Sequence, residues 1–221
     1  NSVYKRINLM ADIAIIDYGM GNVHSVFKAL KKVIDKNSKV KVTNSIKDIL
    51  NCTHIVFPGQ GAAAECMSNI KNNLDIVEFK KIIAQKPFLG ICMGLQVLMT
   101  HSDENDGAEC LNILGGDVLS LKNKVKSSIK VPHMGWNKID QKYRHPLWAN
   151  IPNNSFFYFV HSYYVQPINN ENILSTTTYG TTFASGLFRD NIVAVQFHPE
   201  KSSKIGLKML ENFILWDGEV Q

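Results

Sequence analysis

The chain has 221 residues, of which 45% are hydrophobic, 10% aromatic and 19% charged. This composition is that of an ordinary globular protein and argues against a disordered, collagenous or coiled-coil chain. A chain of this length buries about 70% of its unfolded surface, so one hydrophobic core can stabilise the fold without disulfides or bound metals. We expect a single domain over residues 10–221, preceded by residues 1–9 as a leader or an appended remnant.

The formal net charge of +5 comes from two lysine-rich stretches. Six lysines and one aspartate lie between residues 28 and 41, and four lysines without an acid lie between residues 122 and 130. Solvated surface is the ordinary explanation, and a docking surface for an acidic protein or an anionic ligand is the functional alternative. Neither stretch interleaves arginine with aromatic residues as a base-stacking groove does, so nucleic acid is disfavoured as a partner.

The cysteines and the hydropathy pattern indicate the compartment of the protein and argue against a membrane-spanning segment. The four cysteines lack C-x-x-C spacing, which indicates a reducing, cytoplasmic compartment. The longest apolar run, residues 156–160, is far shorter than the roughly 18 residues of a membrane span. The N-terminus does not resemble a signal peptide. Six of the seven histidines show no metal-ligand spacing, so we expect no metal, and no motif calls for a cofactor.

Buried apolar runs alternate with helical patterns through the first half of the chain. Residues 13–17, 54–57 and 88–91 are short apolar runs that predict strands. After the first run, residues 23–34 show helical apolar spacing, and Asn22 is placed to cap that helix. Apolar strands separated by amphipathic helices predict a mostly parallel central sheet with helices on both faces.

Strands dominate the second half, and the chain ends in a helix with candidate caps at serines 202 and 203. The predicted strands cover residues 118–121, 156–161, 173–178, 183–188 and 192–197. The polar residues 189–191 between the last two strands are typical of a hairpin turn. The sequence therefore predicts a three-layer α/β fold with a mostly parallel sheet and a smaller antiparallel portion in the second half.

The strongest chemical motif is Gly-Ile-Cys-Met-Gly at residues 90–94, between a predicted strand and a predicted helix. It fits the G-x-nucleophile-x-G pattern of a sharp strand-to-helix turn, with Cys92 as the nucleophile. A helix N-terminus favours the thiolate, and the backbone N–H of Met93 follows as an oxyanion donor. The alternative is a buried structural cysteine that happens to lie between glycines.

A second motif, Gln-Phe-His-Pro-Glu at residues 196–200, supplies a base and its partner. Pro199 favours extended backbone at His198, and residues i and i+2 of an extended chain share a face. Glu200 therefore lies beside His198, as the third member of a catalytic triad does. An isolated His–Glu pair is more often structural, but a nucleophile turn in the same chain favours acyl transfer through a thioester.

Two glycine turns suggest a different interpretation. Residues 59–64 formally fit the G-x-G-x-x-A dinucleotide pattern, but they do not follow the first strand and lack a convincing acid about 20 residues later. The turn at residues 19–21 lacks the third glycine, and neither turn is a P-loop. We interpret residues 58–61 as a backbone turn that supplies N–H groups near the nucleophile. A nucleotide-binding protein with a structural Cys92 is the non-enzymatic alternative.

These motifs together resemble the class I (triad) glutamine amidotransferases, and among them the glutaminase subunits of imidazole glycerol phosphate synthase. The class features are the Pro-Gly turn, the cysteine motif and His-Pro-Glu. The subfamily features lie at residues 16–22, 131–137, 158–164 and 201–202. The similarity extends from residue 12 to about residue 216.

The resemblance implies hydrolysis of L-glutamine to glutamate and ammonia by Cys92, His198 and Glu200. It also implies that the oxyanion is held by N–H groups of Met93 and of the turn at Gly59 and Gln60. The remaining glutamine contacts that the resemblance implies are Gln96, Glu104, Ser162 and Tyr163.

The resemblance further implies a (β/α)8-barrel cyclase partner that receives ammonia through a tunnel and whose ligand stimulates the glutaminase. The resemblance places Asn22, Met134, Trp136 and Lys201 at or near that interface. One departure is Gln60, where many relatives have valine, and it bears on how the oxyanion turn switches. A glutaminase of the same class that serves another synthase is the alternative function.

Overall fold

The structure, a computed structural model, describes residues 11–19 and 22–220. The expected leader at residues 1–9, and Met20 and Gly21 of the first glycine turn, lie outside the described residues. The strands are β1 (Asp12–Ile16), β2 (Lys39–Thr43), β3 (His54–Gly59), β4 (Phe88–Cys92), β5 (His101–Ser102), β6 (Ala108–Glu109), β7 (Gly116–Ser120), β8 (His133–Lys138), β9 (Asp140–Gln141), β10 (Phe156–His161), β11 (Tyr163–Pro167), β12 (Ile173–Thr178), β13 (Thr182–Arg189) and β14 (Ile192–Val195). The α-helices are α1 (Val23–Val33), α2 (Ile46–Asn51), α3 (Ala63–Asn73), α4 (Ile76–Ile83), α5 (Met93–Gln96) and α6 (Ser203–Leu215).

The parallel part of the main sheet has the strand order β2-β1-β3-β4-β14, and each neighbouring pair is parallel. Every residue of β3, β4 and β14 is buried, as expected for parallel strands covered on both faces. The edge strand β2 instead exposes Lys39 and Lys41. Lysines on an edge strand disfavour pairing with another chain, which gives part of the first lysine-rich stretch a structural role.

Helices cover both faces of this parallel part. Ala14 and Ile16 of β1 face a cluster that includes the buried side chains of α2, α3 and α4. Ile13 and Ile15 alternate with them and face a second cluster that includes α1 and α6. The predicted three-layer α/β fold is therefore confirmed.

The antiparallel portion extends the sheet beyond β14. Strand β13 pairs antiparallel with β14 and with β11, and β11 pairs antiparallel with β7. The predicted hairpin between β13 and β14 is confirmed, with Asp190 of its turn at φ 52°. Strands β8 and β10 form a separate two-stranded antiparallel sheet.

The three predicted helix caps, Asn22, Ser202 and Ser203, differ from expectation, and Ser203 is the first residue of α6 itself. Asn22 occupies the position before α1, but its side chain accepts no capping hydrogen bond. Ser202 occupies the position before α6, yet its hydroxyl accepts from the Tyr158 N–H and donates to the His198 carbonyl. Ser202 therefore connects the start of α6 to β10 and to the candidate catalytic histidine, which local sequence does not reveal.

The structure also bears on the sequence-based expectations about membrane spans, cysteines and metal ligands. None of its helices combines the length and apolarity that crossing a membrane requires. All four cysteines are free thiols. Within residues 11–19 and 22–220, no group of three or more His, Cys, Asp or Glu side chains is arranged to hold a metal ion.

His133, His145 and His161 are three of the histidines that the fold buries. His133 Nδ1 lies 2.9 Å from His161 Nε2, and His161 Nδ1 lies 2.8 Å from the Tyr163 carbonyl oxygen. His145 packs edge-on against Trp216 and accepts from the Leu147 N–H. Burial lowers the pKa of His133 and of His145 to about 4 and that of His161 to about 3. The folded protein therefore holds all three as neutral imidazoles.

We expect the free energy of unfolding to fall as the pH drops from 7 to 5. Below about pH 6.5 the unfolded chain binds protons at these histidines that the folded chain does not bind, which favours unfolding. Each histidine contributes about 1 to 2 kcal/mol over this range, as an upper estimate. Urea unfolding at pH 7, 6 and 5 measures the effect.

The variant His145→Asn keeps an acceptor for Leu147 and removes one titrating group, so it should reduce the pH dependence. The same substitution at the exposed His24 is the control and should leave it unchanged. Equal stability of the unmodified chain at pH 7 and pH 5 would contradict this account.

Candidate active site

Cys92 lies at the junction of β4 and α5 in a strained backbone conformation, with φ 56° and ψ −107°. A non-glycine residue at positive φ is uncommon and needs support from its surroundings. Glycines on both sides allow the chain to pack closely here. A Cβ at Gly94 would lie 1.9 Å from the Phe57 carbonyl oxygen, and one at Gly90 would lie 2.7 Å from the Gly94 oxygen. The predicted sharp turn at Cys92 is thus present, and the packing leaves room only for glycine at positions 90 and 94.

The sheet brings His198 and Glu200 to the same edge as Cys92. Strand β14, which ends two residues before Phe197, pairs in parallel with β4, which ends at Cys92. His198 has the extended backbone that the sequence predicts, and its Nδ1 lies 2.8 Å from Glu200 Oε1. The side chains of His198 and Glu200 are 6% and 1% exposed. The carboxylate therefore fixes the imidazole in a nearly dry site.

The electrostatics of His198 suit a base that becomes cationic. Burial alone lowers the pKa of His198, but the neighbouring Cys92 sulfur and the Glu200 carboxylate outweigh burial and raise it. Its Nε2 is buried and has no hydrogen-bond partner among the described residues. This nitrogen is therefore available to exchange a proton with the sulfur or with a bound molecule.

A glutamine side chain, absent from the sequence prediction, also reaches the nucleophile. Gln196 is fully buried, and its Nε2 donates to Cys92 Sγ at 3.6 Å. Its Oε1 accepts from Gln96 Nε2 at 3.1 Å, and Gln96 Nε2 also donates to the Tyr163 carbonyl. The i, i+2 alternation that pairs His198 with Glu200 also places Gln196 on their face, so the signal was present in the sequence.

A cleft of about 420 Å³ opens at Cys92 and His198. It brings together nearly all the predicted glutamine contacts: Gln60, Met93, Gln96, Glu104, Ser162 and Tyr163. Gly61 of the predicted glycine turn also lines it, as do Pro132, Val160 and His161, to which the sequence assigned no role in the site. The predicted substrate contacts thus converge on one concave site that also holds the predicted nucleophile Cys92 and the predicted base His198.

The glycine turn at residues 59–61, here named the oxyanion turn after its predicted role, lies beside Cys92. Gly59 pairs with Cys92 in the parallel register of β3 and β4. At the other end of the turn, Glu104 Oε2 accepts from the N–H of Ala63 at 2.6 Å. The side chain of Gln60 is exposed at the cleft. The turn therefore borders the Cys92 cleft, as expected for a backbone element that serves the nucleophile.

The four predicted interface residues lie on β8, on the 3-10 helix after His198 and at the start of α1. Met134 and Trp136 are 62% and 52% exposed on one face of β8. Lys201 is exposed and borders the cleft, at the end of a 3-10 helix, Pro199–Lys201, that contacts α1. Asn22 directly precedes α1. The chain thus presents an apolar patch on the β8–β10 sheet, and β10 contacts the 3-10 helix that ends at Lys201 beside the cleft.

The glutamine amidotransferase class-I family matches residues 14–216 of the chain. The chain belongs to the class I glutamine amidotransferases. The family assignment favours the enzymatic interpretation of Cys92 over a nucleotide-binding protein with a structural cysteine.

Relatives with closely similar sequences carry one name. The imidazole glycerol phosphate synthase subunit HisH of Nitrosococcus oceani is 51% identical over 210 residues, covering 95% of this chain and 99% of that protein. The HisH subunit of Hydrogenovibrio crunogenus is 47% identical over 207 residues, covering 94% and 97%. Within the amidotransferase class, the sequence is therefore similar to HisH subunits over nearly its full length.

Solved structures of other proteins share the fold at low sequence identity. PurLQS from Thermotoga maritima superposes with a TM-score of 0.69 at 17% identity, over 93% of this chain and 98% of that chain. A glutamine amidotransferase from the same organism gives a TM-score of 0.59 at 18% identity, over 86% of this chain and 76% of that chain. These similarities support the fold alone.

The contact from Gln196 to the nucleophile of this amidotransferase can be tested by substitution. Gln196→Leu removes the amide donor to Cys92 Sγ, and a hydrogen bond to the charged form of a group contributes about 1.5–3 kcal/mol. We therefore expect the rate of Cys92 alkylation by iodoacetamide at neutral pH to fall about tenfold or more. Gln141→Leu is the control, because Gln141 donates to the Ile151 carbonyl away from the cleft. Equal alkylation rates in both variants would mean that Gln196 does not stabilise the thiolate.

Proposed function

We propose that this amidotransferase hydrolyses the side-chain amide of L-glutamine to glutamate and ammonia, as a glutaminase subunit of imidazole glycerol phosphate synthase. The observation that carries the proposal is the strained Cys92 beside His198, whose Nδ1 is held 2.8 Å from Glu200. A thiol nucleophile, a buried base and a carboxylate that orients the base are the groups that acyl transfer through a thioester needs.

The first half of the reaction forms a thioester. His198 takes the proton of the Cys92 thiol, the sulfur attacks the amide carbon of glutamine, and the carbonyl electron pair moves onto oxygen. N–H groups of Met93 and of the oxyanion turn at Gly59 and Gln60 stabilise this oxyanion. His198 gives its proton to the nitrogen, the carbon–nitrogen bond breaks, and ammonia leaves.

The second half regenerates the enzyme. His198, now neutral, takes a proton from water, and the resulting hydroxide attacks the thioester carbon. The same N–H groups stabilise the second oxyanion, which collapses to glutamate and expels the Cys92 thiolate. Glu200 holds the imidazole orientation in both halves and stabilises its cationic form.

The cleft provides groups for the amino-acid end of glutamine. The Glu104 carboxylate pairs with the substrate ammonium group, and Ser162 and Tyr163 border the same space. Both amide hydrogens of Gln96 are used by Tyr163 and Gln196, so its Oε1 is the atom that accepts from the substrate. These groups select a free amino acid with a carboxamide side chain.

The partner in this proposal is a (β/α)8-barrel cyclase subunit that uses the ammonia to make imidazole glycerol phosphate and AICAR in histidine biosynthesis. Two observations support a partner: the relatives are named as subunits of that synthase, and Met134 and Trp136 form an exposed apolar patch. Asn22 and Lys201 contribute polar contacts nearer the cleft. Four free thiols accord with the cytoplasm as the site of action.

The proposed chemistry is tested by glutamate release from glutamine in the presence of the cyclase and its nucleotide ligand. Cys92→Ala should reduce turnover by at least about 10³-fold, because without the sulfur no thioester forms. Cys110→Ala is the matched control, since Cys110 lies outside the cleft. Turnover retained by Cys92→Ala would refute the triad assignment.

We expect the isolated chain to release glutamate slowly and the liganded cyclase to stimulate it, because uncoupled hydrolysis wastes glutamine. Trp136→Lys should weaken the complex and reduce this stimulation, whereas Ile168→Lys, at another exposed apolar side chain, should not. Fast turnover without a partner would contradict the coupling. Reactive Cys92 with no stimulation by this cyclase would indicate a different synthase.

A further inference from the structure

The side chain of Tyr18 contacts the oxyanion turn from the protein interior. Tyr18 is fully buried, and its ring packs against Phe57 with centroids 5.1 Å apart. Its hydroxyl donates to the carbonyl oxygen of Pro58 at 3.0 Å. The same hydroxyl oxygen accepts from the thiol of Cys66 at 3.3 Å. One hydroxyl group on a fully buried side chain therefore makes both contacts.

These two contacts fall on opposite ends of the oxyanion turn. Pro58 belongs to β3 and directly precedes the turn, whereas Cys66 belongs to the first part of α3, which follows it. The Tyr18 hydroxyl thus connects the strand that enters the turn to the helix that leaves it. Movement of either end relative to the other would break one of the two hydrogen bonds.

Gly59, the first residue of the turn, is held between Tyr18 and the nucleophile turn. A Cβ at Gly59 would lie 2.5 Å from the Tyr18 hydroxyl oxygen and 2.7 Å from the Cβ of Met93. The hydroxyl therefore lies within contact distance of the backbone that must stay close to the Met93 N–H. Two oxyanion donors act together only while this spacing is kept.

Burial keeps both donors of this small network protonated. It raises the pKa of Tyr18 well above its usual range and the pKa of Cys66 to about 12. The hydrogen bonds therefore run in one direction, from the Cys66 thiol to the Tyr18 oxygen and from the Tyr18 hydroxyl to Pro58. Hydrogen bonds linked in this way strengthen one another in a medium of low dielectric constant.

We propose that Tyr18 is a positioning residue for the oxyanion turn: its hydroxyl fixes the Pro58 carbonyl and so sets the backbone that stabilises the oxyanion formed at Cys92. The Pro58 carbonyl and the Gly59 N–H belong to one planar peptide, so fixing the first fixes the second. This inference rests on the proposed use of the turn in acyl transfer. Tyr18 touches no substrate in this role and acts through the turn.

The test compares two reactions of Cys92 in Tyr18→Phe, which keeps the ring and removes the hydroxyl. Acylation by p-nitrophenyl acetate forms a carbon–sulfur bond through an oxyanion and expels p-nitrophenolate. Alkylation by iodoacetamide forms a carbon–sulfur bond and expels iodide without an oxyanion. Reaction at the other thiols is subtracted by measuring Cys92→Ala in each background. Neither reagent requires glutamine to be the substrate.

We expect Tyr18→Phe to lower the rate constant of acylation about tenfold, less than the 10²–10³-fold loss from removing a donor outright. Alkylation should stay unchanged, and with glutamine kcat should fall while KM stays within about twofold. Tyr179→Phe is the matched control, because it removes a tyrosine-to-carbonyl hydrogen bond of 2.8 Å, to Lys130.

Several outcomes would overturn the inference. Unchanged acylation in Tyr18→Phe would do so, as would an equal fall in both reactions, or the same selective fall in Tyr179→Phe. A further outcome separates this inference from the proposed function. If Tyr18→Phe shows the selective fall in acylation but the unsubstituted chain never releases glutamate from glutamine, the role of Tyr18 is supported and the proposed function is refuted.

Discussion

The active site depends on one tight backbone contact, between the nucleophile turn and the end of β3. Cys92 holds a positive φ that costs on the order of 1–3 kcal/mol, and the fold maintains it only because the chain packs against itself there. Gly94 lies so close to the Phe57 carbonyl that a methyl group would overlap it. Glycine at positions 90 and 94 therefore permits the strained backbone turn that places Cys92 at the end of β4.

The parallel order of the central strands brings the other residues of the candidate site to the strained turn at Cys92. Strand β4 lies between β3 and β14, so the carboxyl ends of all three meet at one edge of the sheet. β3 delivers the oxyanion turn, β4 the nucleophile, and the chain after β14 the histidine and its carboxylate. Three segments more than 30 residues apart in sequence thus become neighbours through strand pairing alone.

Sequence patterns could predict what depends on local spacing. The glycines around Cys92, and the i, i+2 placement of His198 and Glu200, are local constraints, and the structure shows the predicted geometry. Apolar runs likewise predicted the layers, since burial on two faces leaves a continuous hydrophobic strand. The Ser202 hydroxyl bonds to β10 and to the His198 carbonyl instead of capping α6, because tertiary partners compete with helix ends for the same groups. Nothing in the structure explains why the Asn22 side chain does not cap α1.

The contacts that sequence reasoning missed are those between segments distant along the chain. Gln196 reaches Cys92 across 104 positions, and Tyr18 reaches Pro58 across 40. Both side chains are buried, where a polar group must find a partner or destabilise the fold. The proposed base is the exception, because His198 Nε2 is buried and has no hydrogen-bond partner among the described residues. Buried side chains whose hydrogen bonds are satisfied hold the candidate site in place. His198 Nε2 itself stays available to exchange a proton.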